Sequence, residues 1–500
     1  MKWKITGTLA AFSLLAQTAI AETTFERQLD EVMDRWKLTS AIAGEINENG
    51  SVTIYTKGKS DQALSRDVTN NTVYAIGSTT KAMVAAGVLK LQEEGKLNLD
   101  DPVIDYIPEF RIDNAVSPDI TIRDLLTHKV PLPADINQLW IFFYHHPVSK
   151  QAEMLANYDL VGRFRHDFMY QNITFDIAGL LIERVTGEPW DSYLTKKLWH
   201  PLGMKHTYGR TRDVPDDVVI ADAVYQKDGT YRKFPASFLP DEANGAGSAL
   251  STANDLATWI QFLVGDGKNS NGEQVLSKAS MDEFFTPQFV NNQAPFYHFA
   301  DVIDNRWSTY ALGWFQLDWG QRKIDYHSGS VLGFSGMIGV DRDNDRGMFF
   351  FTNIERDKLG REVMLASYFD SLDGEVEYNW IEEVATRYEE KTSPYKEEYT
   401  RVKEARDADS TPTLELKQYV GTYSEPAFGD VKIKMQEGEL VMAAGPTVME
   451  MSHWQHDQFA VTMDYWETPV IAKFDLSESG KVEQLRLPGL TLTRQSENGS

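Results

Sequence analysis

Ser78-Thr79-Thr80-Lys81 sets a hydroxyl and an amine three residues apart, which places them on one face if the segment is helical. An unactivated serine is a poor nucleophile at neutral pH, and an amine at this distance is a base that takes its proton. For that, Lys81 must be held near neutrality, and burial among other polar groups depresses a lysine pKa. The spacing alone is a weak signal. Ser393-Pro394-Tyr395-Lys396 also satisfies it, in a charged, proline-containing stretch that reads as surface. Two rarer patterns add weight. Tyr170-Gln171-Asn172 is the only Tyr-x-Asn among the 21 tyrosines, and His327-Ser328-Gly329 is the only place where His or Lys precedes Ser or Thr and then Gly. Tyr170 is a second acid/base candidate; a free phenol titrates near 10, so a cation such as Lys81 must help stabilise its phenolate if it serves as base. The bland alternatives are an N-cap serine, a solvated lysine and a core tyrosine. Three such patterns in one chain argue against all of them.

In this order the three patterns resemble the serine hydrolases of the penicillin-recognising superfamily, in the branch of class C β-lactamases, D,D-peptidases and esterases. Further stretches share the likeness: Leu99-Asp100-Asp101-Pro102-Val103, Asp124-Leu125-Leu126-Thr127-His128, Ile177 to Glu183, Pro201-Leu202-Gly203-Met204, Gly245-Ala246-Gly247, Ser251 to Leu256 and Gly313-Trp314. The resemblance runs from about Phe25 to Tyr368. It implies Ser78 as the acylated nucleophile, Lys81 and Tyr170 as its proton carriers, and Asn172 as the residue orienting Lys81 and the substrate amide. It also implies that Ser328 and Gly329 form the strand edge pairing with substrate. The backbone N–H groups of Ser78 and Ser330 are then the oxyanion hole. His327 departs from the lysine of class C β-lactamases. A histidine donates a hydrogen bond but supplies less constant charge for a substrate carboxylate, so the expectation is an amide or ester hydrolase without commitment to β-lactams. Lys129-Val130-Pro131-Leu132-Pro133 replaces the usual Ser-Gly-Leu stretch and is expected to border the site.

Rival functions leave weaker traces. An α/β-hydrolase needs Gly-x-Ser-x-Gly, which does not occur. A non-catalytic cell-wall-peptide or penicillin-binding protein of the same fold is the alternative reading, and the complete set of motifs speaks against it. Trp140 to His146 reads equally as an apolar subsite or as core. His145-His146 lacks the companion ligands of a metal site, so no metal and no cofactor are expected.

The composition sets outer bounds. The chain has 500 residues, 42% of them apolar, and a net charge of −25. This length predicts more than one domain. The acidic balance argues against nucleic acid and anionic membranes as partners and leaves a small-molecule or peptide substrate. Lys2 and Lys4, an apolar run from Ile5 to Ala16 and Ala19-Ile20-Ala21 read as a signal peptide over residues 1–21. Its apolar run is too short to span a bilayer, so an exported, periplasmic or secreted protein without stable membrane insertion is expected. Without cysteine there is no disulfide and no thiol nucleophile. The oligomeric state is open.

The elements that must position these groups follow from pattern. Val73 to Ile76 reads as a strand leading into a tight turn at Gly77, and Lys81 to Glu94 as an amphipathic helix stopped by Gly95. Residues 41–46 and 51–56 read as a hairpin, and 337–340 with 348–352 as another. Strands at both ends of a helical middle predict one antiparallel sheet, and the resemblance implies an α/β sandwich beside a helical subdomain over 22–372. Residues 373–412 are charged and helix-prone and read as a linker. Residues 413–500 hold short strand-like runs at 431–435, 440–443, 458–463, 470–474 and 484–487. Tyr419-Val420-Gly421-Thr422-Tyr423 resembles the start of a small lipocalin-like barrel domain.

Overall fold

The computed structural model describes residues 23–47, 49–112, 115–133, 146–235, 244–290, 297–303, 305–354, 359–372, 374, 378–426, 428–466 and 468–496. The region read as a signal peptide, and Trp140 to His145, lie outside these residues. The helices used below are α1 (Thr24–Trp36), α2 (Thr80–Glu93), α3 (Asn172–Thr186), α4 (Ala253–Val264), α5 (Gly360–Ser371) and α6 (Trp380–Glu404). None of the described helices is long and apolar enough to cross a membrane.

The strands of the first unit are β1 (Ser40–Ile46), β2 (Val52–Gly58), β3 (Tyr74–Ala75), β4 (Val224–Lys227), β5 (Thr230–Lys233) and β6 (Leu250–Ser251). After them come β7 (Phe289–Val290), β8 (Ser308–Tyr310), β9 (Phe315–Trp319), β10 (Arg322–Val331), β11 (Phe334–Asp341) and β12 (Arg346–Thr352). An eight-stranded sheet has the order β2-β1-β12-β11-β10-β9-β8-β7. The first hairpin joins the last one through β1 and β12, with Ala43 opposite Phe350. Both ends of the segment therefore close the same sheet. The two faces are buried for different reasons. Ala41, Ala43, Met337, Met348 and Phe350 belong to a core shared with α1 and α5; Ile42, Ile338, Phe349 and Phe351 belong to a core shared with α2 and α4. That alternation is the period-2 signature of a sheet packed on both sides.

Two local readings need correction. The approach strand shortens to β3, which pairs with β6, Tyr74 opposite Ser251, with a single bridge from Val73 to Ile220 just before it. The helix that follows is not amphipathic: Thr80 to Leu89 and Leu91 are all buried. It is packed among α3 and the helices at 190–194 and 278–284, and its single buried cation, Lys81, belongs to the interior rather than to a polar stripe.

The charged stretch forms α6, whose N-terminal half sets Trp380 and Val384 in the core and packs Ile381 and Tyr388 against it, while its C-terminal half is mostly exposed. The second Ser-x-x-Lys lies on it, with Tyr395 at 78% exposure. Beyond it, β13 (Gly421–Glu425), β14 (Gly429–Gln436), β15 (Glu439–Ala444), β16 (Thr447–Gln455), β17 (Gln458–Thr462), β18 (Val470–Leu476), β19 (Val482–Leu487) and β20 (Leu490–Arg494) close into a barrel. Its interior is filled by Tyr419, Tyr423, Ile433, Phe459, Phe474 and Leu485. Closure removes the sheet edges that would otherwise invite pairing with other chains. The barrel touches the first unit through the turn after β17. There Asp464 accepts hydrogen bonds from Tyr225 (2.5 Å), Arg232 (2.9 Å) and Lys227, all on the β4–β5 hairpin, and Tyr465 packs on Phe234 with centroids 4.9 Å apart. These ion pairs are largely exposed, and solvent screening keeps each one small. Asp464→Ala is therefore expected to cost about 1 kcal/mol, read as a lower urea midpoint, with Ser78 reactivity unchanged.

Candidate active site

The sequence places Ser78 where β3 turns into α2. Gly77 has φ +54°, and a Cβ there would lie 2.5 Å from the Ser330 nitrogen, so the left-handed turn and the close approach of β10 both require glycine. Ser78 then occupies a one-turn 3-10 helix, Gly77–Thr79, that feeds α2. β10 carries the His-Ser-Gly motif past this corner. At Gly329 a Cβ would meet the Ile76 carbonyl at 1.9 Å, which no side chain tolerates. β10 pairs with β9 only as far as Tyr326. Among the described residues no strand pairs with its outer edge from His327 onward, and at Gly329 the strand comes against the Ile76–Gly77 turn.

Lys81 is fully buried one turn into the helix. Its Nζ donates to Ser78 Oγ at 3.0 Å, to Asn172 Oδ1 at 2.8 Å and to the Ala246 carbonyl at 2.7 Å. Desolvation pulls its pKa from 10.5 to about 7, and the Asp176 carboxylate works in the opposite direction. Asp176 stands one turn after Asn172 on α3 and accepts from the Ala246 N–H at 2.9 Å. The amine is thus surrounded by acceptors yet shielded from water.

Tyr170 precedes α3, capped by Gln171 in an extended conformation. Its hydroxyl hydrogen-bonds with Ser78, and Lys81 Nζ lies 5.0 Å from its ring centroid. Burial raises its pKa far above 10; the hydrogen bond with Ser78 and the Arg361 guanidinium oppose that rise without cancelling it. The free site therefore holds a phenol, not a phenolate. Burial thus favours the uncharged form of both Lys81 and Tyr170.

His327 is buried and is not a ready cation. Its pKa is lowered to about 3 by desolvation, with the neighbouring Lys81 adding to the effect. Both ring nitrogens are engaged by the protein, Nδ1 with the Ser328 carbonyl at 2.6 Å and Nε2 with the Tyr310 hydroxyl at 3.3 Å. In the unliganded protein both ring nitrogens thus have protein partners. Ser328 Oγ accepts from Tyr297 at 2.9 Å. Ser330 is exposed at the turn. Lys129 to Pro133 lies under the Tyr-x-Asn segment, with Val130 and Leu132 fully buried and the Leu132 carbonyl accepting from Gln171 at 2.5 Å.

All eight residues singled out from the sequence, Ser78, Lys81, Tyr170, Asn172, His327, Ser328, Gly329 and Ser330, gather around this one corner. Three others were missed. Asp176 was signalled by its i+4 spacing from Asn172. His128 closes the Asp-Leu-Leu-Thr-His stretch, but nothing local says that its ring points at the site. Arg361 lies in the first turn of α5 and donates to the Gly329 carbonyl (3.2 Å) and to Ser330 Oγ; only the tertiary contact shows it. Among the described residues no group of three or more His, Asp or Glu stands ready to hold a metal ion.

The family model described as Beta-lactamase matches residues 25–367. The chain belongs to the β-lactamase family. A second model, a domain of unknown function termed DUF3471, matches residues 405–499 and so spans the barrel. Protein flp of Staphylococcus aureus (strain N315) is 25% identical over 346 residues, 68% of this chain and 65% of that protein's length, so the chain spans less than two thirds of it. Unguisins hydrolase ungD of Aspergillus violaceofuscus is 25% identical over 496 residues, 91% of this chain and 86% of its own. In structure, the chain is similar to the octameric penicillin-binding protein homologue from Pyrococcus abyssi (TM-score 0.62, 22% identity, 94% of this chain, 99% of that one). It is also similar to the class C β-lactamase from Rhodobacter sphaeroides (TM-score 0.55, 20% identity, 70% and 98%). At these identities the structural likeness is one of fold.

Proposed function

We propose that this β-lactamase-family protein is an exported serine hydrolase that cleaves an amide or ester through an acyl-enzyme on Ser78. The observation that carries the reading is the buried Lys81 amine, 3.0 Å from Ser78 Oγ with its pKa drawn down to about 7. A lysine desolvated to that degree is half neutral at the pH where it must accept a proton.

In the forward direction Ser78 Oγ gives its proton to Lys81 Nζ and bonds to the acyl carbon. The carbonyl oxygen, now negative, sits between the N–H groups of Ser78 and Ser330; the helix start at Ser78 adds a favourable dipole. As the bond to the leaving group breaks, Tyr170 donates its phenolic proton to the departing nitrogen or oxygen and recovers one from the Lys81 ammonium. Water then attacks the ester, with the proton transfers reversed. Asn172 Oδ1 holds the amine toward Ser78. Tyr170→Phe keeps the ring packing and removes the proton, so turnover is expected to fall about 100- to 1,000-fold with the fold intact, measured as kcat on a p-nitrophenyl ester. Near-normal turnover removes Tyr170 from the proton path.

Neutral acyl substrates suit this site better than carboxylates held at the His-Ser-Gly position, because His327 is uncharged there. D-amino-acid amides, carboxylic esters and β-lactams are all within the reaction class. Two measurements test the proposal. A fluorophosphonate should give a covalent adduct that mass spectrometry maps to the Ser78 peptide. A panel of nitrocefin, p-nitrophenyl esters and D-amino-acid amides should show turnover of at least one class. An unlabelled Ser78 with no turnover on any of them overturns the reading in favour of a binding protein.

A further inference from the structure

The two buried histidines beside the site belong to one chain of hydrogen bonds whose ends fix every proton in it. At one end the backbone N–H of Gln171, between Tyr170 and Asn172, donates to His128 Nδ1 at 3.0 Å. A backbone N–H only donates, so His128 Nδ1 carries no proton, and a neutral ring then has its proton on Nε2. That nitrogen stands 3.1 Å from the Tyr310 hydroxyl, which accepts from it. Tyr310 spends its own proton on His327 Nε2 at 3.3 Å. His327 is left with its proton on Nδ1, which donates to the Ser328 carbonyl at 2.6 Å. A carbonyl only accepts, so the chain closes. Gln171, His128, Tyr310, His327 and Ser328 are all buried.

Adding a proton anywhere breaks the sequence. On His128 Nδ1 it would confront the Gln171 N–H; on His327 Nε2 it would confront the Tyr310 hydroxyl proton. The surroundings agree. Lys81 from α2 lies near both rings and Arg361 from α5 near His327, each opposing a further positive charge, and the phenols of Tyr170 and Tyr310 pack on both rings. Asp176 faces Lys81 rather than either ring. The rings also pack on the phenol of the site: His128 lies 4.5 Å and His327 5.9 Å from the Tyr170 ring centroid.

We propose that His128 and Tyr310 are positioning residues for this reaction: through a proton-ordered chain from Gln171 N–H to the Ser328 carbonyl they hold His327 as a neutral Nδ1–H tautomer and lock the open edge of β10 against the Tyr-x-Asn segment. The inference rests on the serine-hydrolase reading for its meaning in catalysis, but the proton order is a property of the unliganded protein. The two segments that must close on a substrate from opposite sides are tied by it into one unit. It also makes the His-Ser-Gly edge insensitive to pH, unlike an edge carrying a titrating histidine.

Long-range proton–nitrogen correlation spectra of the full-length protein labelled with nitrogen-15 at histidine test this directly, assigned with His128→Gln and His327→Gln. The expected result is an Nε2–H tautomer for His128 and an Nδ1–H tautomer for His327, neither titrating between about pH 5.5 and 8.5. In Tyr310→Phe, which keeps the ring, His327 should lose its single-tautomer pattern, and the rate of Ser78 labelling by a fluorophosphonate should fall about tenfold. A His327 that becomes imidazolium above pH 5.5, or that shows the Nε2–H form, overturns the proposal. So does a Tyr310→Phe protein with unchanged histidine spectra and labelling. If the spectra are as expected while wild-type Ser78 is never labelled, the proton order stands and the hydrolase reading falls.

Discussion

Ser78→Ala is expected to abolish covalent labelling and to lower kcat by about 10⁵- to 10⁶-fold, because the loss of an acylated nucleophile removes the reaction path rather than one stabilising contact. Stability should change little. Ser78 Oγ accepts from Lys81 and hydrogen-bonds with Tyr170, and when it goes Lys81 retains Asn172 Oδ1 and the Ala246 carbonyl. Binding of substrate should survive, since the Ser78 and Ser330 amides and the β10 edge are backbone. The check is a pair of measurements on one preparation: intact-mass spectrometry after fluorophosphonate treatment, and an equilibrium titration with an uncleaved substrate. A variant that still turns over substrate at more than about one hundredth of the wild-type rate excludes Ser78 as the nucleophile.

Lys81→Met is expected to lower kcat/KM by about 10³- to 10⁴-fold and to erase a specific feature of the pH profile. In the wild type the rate of acylation should rise with pH and level off above about 7, where the buried amine loses its proton. A lysine at its ordinary 10.5 would keep the rate climbing far beyond that. The shift also marks stability. The folded chain releases this proton at about 7 and the unfolded chain at 10.5, so unfolding takes up a proton between those values. The destabilisation is full below pH 7 and fades as the pH rises toward 10.5, about 5 kcal/mol across the window at most. Methionine relieves the cost of burying the ammonium but leaves the Ala246 carbonyl and Asn172 Oδ1 short of a donor. These effects oppose each other, so the variant should stay folded and its inactivity should be chemical. Stopped-flow acylation against pH checks it; a limb near 7 that persists in Lys81→Met assigns the titration to another group.

Much of the fold is legible in local pattern. The hairpins at 40–58 and 334–352 are legible as apolar, β-branched and aromatic runs broken by polar turns, and β1, β11 and β12, buried on both faces, read as nearly continuous apolar runs; the Gly-Ser corner announces itself because a φ of +54° against a neighbouring strand requires glycine. The barrel was partly visible. β14, β15, β17, β18 and β19 follow short apolar runs, whereas β13, β16 and β20 were not read as strands. β16 alternates Met449, Met451 and Trp454 with Glu450 and Ser452, and its polar half hides the pattern. The amphipathic reading of α2 failed for a different reason. A helix enclosed on all sides has no solvent face to produce a periodic stripe, and composition alone does not tell an enclosed helix from a half-buried one.

What the sequence by itself determined is the chemistry on offer: a serine and a lysine one turn apart, a tyrosine and an asparagine bracketing a helix start, and a His-Ser-Gly strand, in an order belonging to one family. Those are short-range facts, set by spacing along the backbone. The tertiary structure decided the protonation states. Lys81 is drawn to about 7 by burial beneath Ala246 and beside Asn172, Tyr170 remains a phenol, and His327 is kept neutral by burial, its tautomer ordered from Gln171, 156 residues away in the chain, through His128 and Tyr310. Desolvation and hydrogen-bond direction depend on what surrounds a group in space, and no window of sequence contains that information.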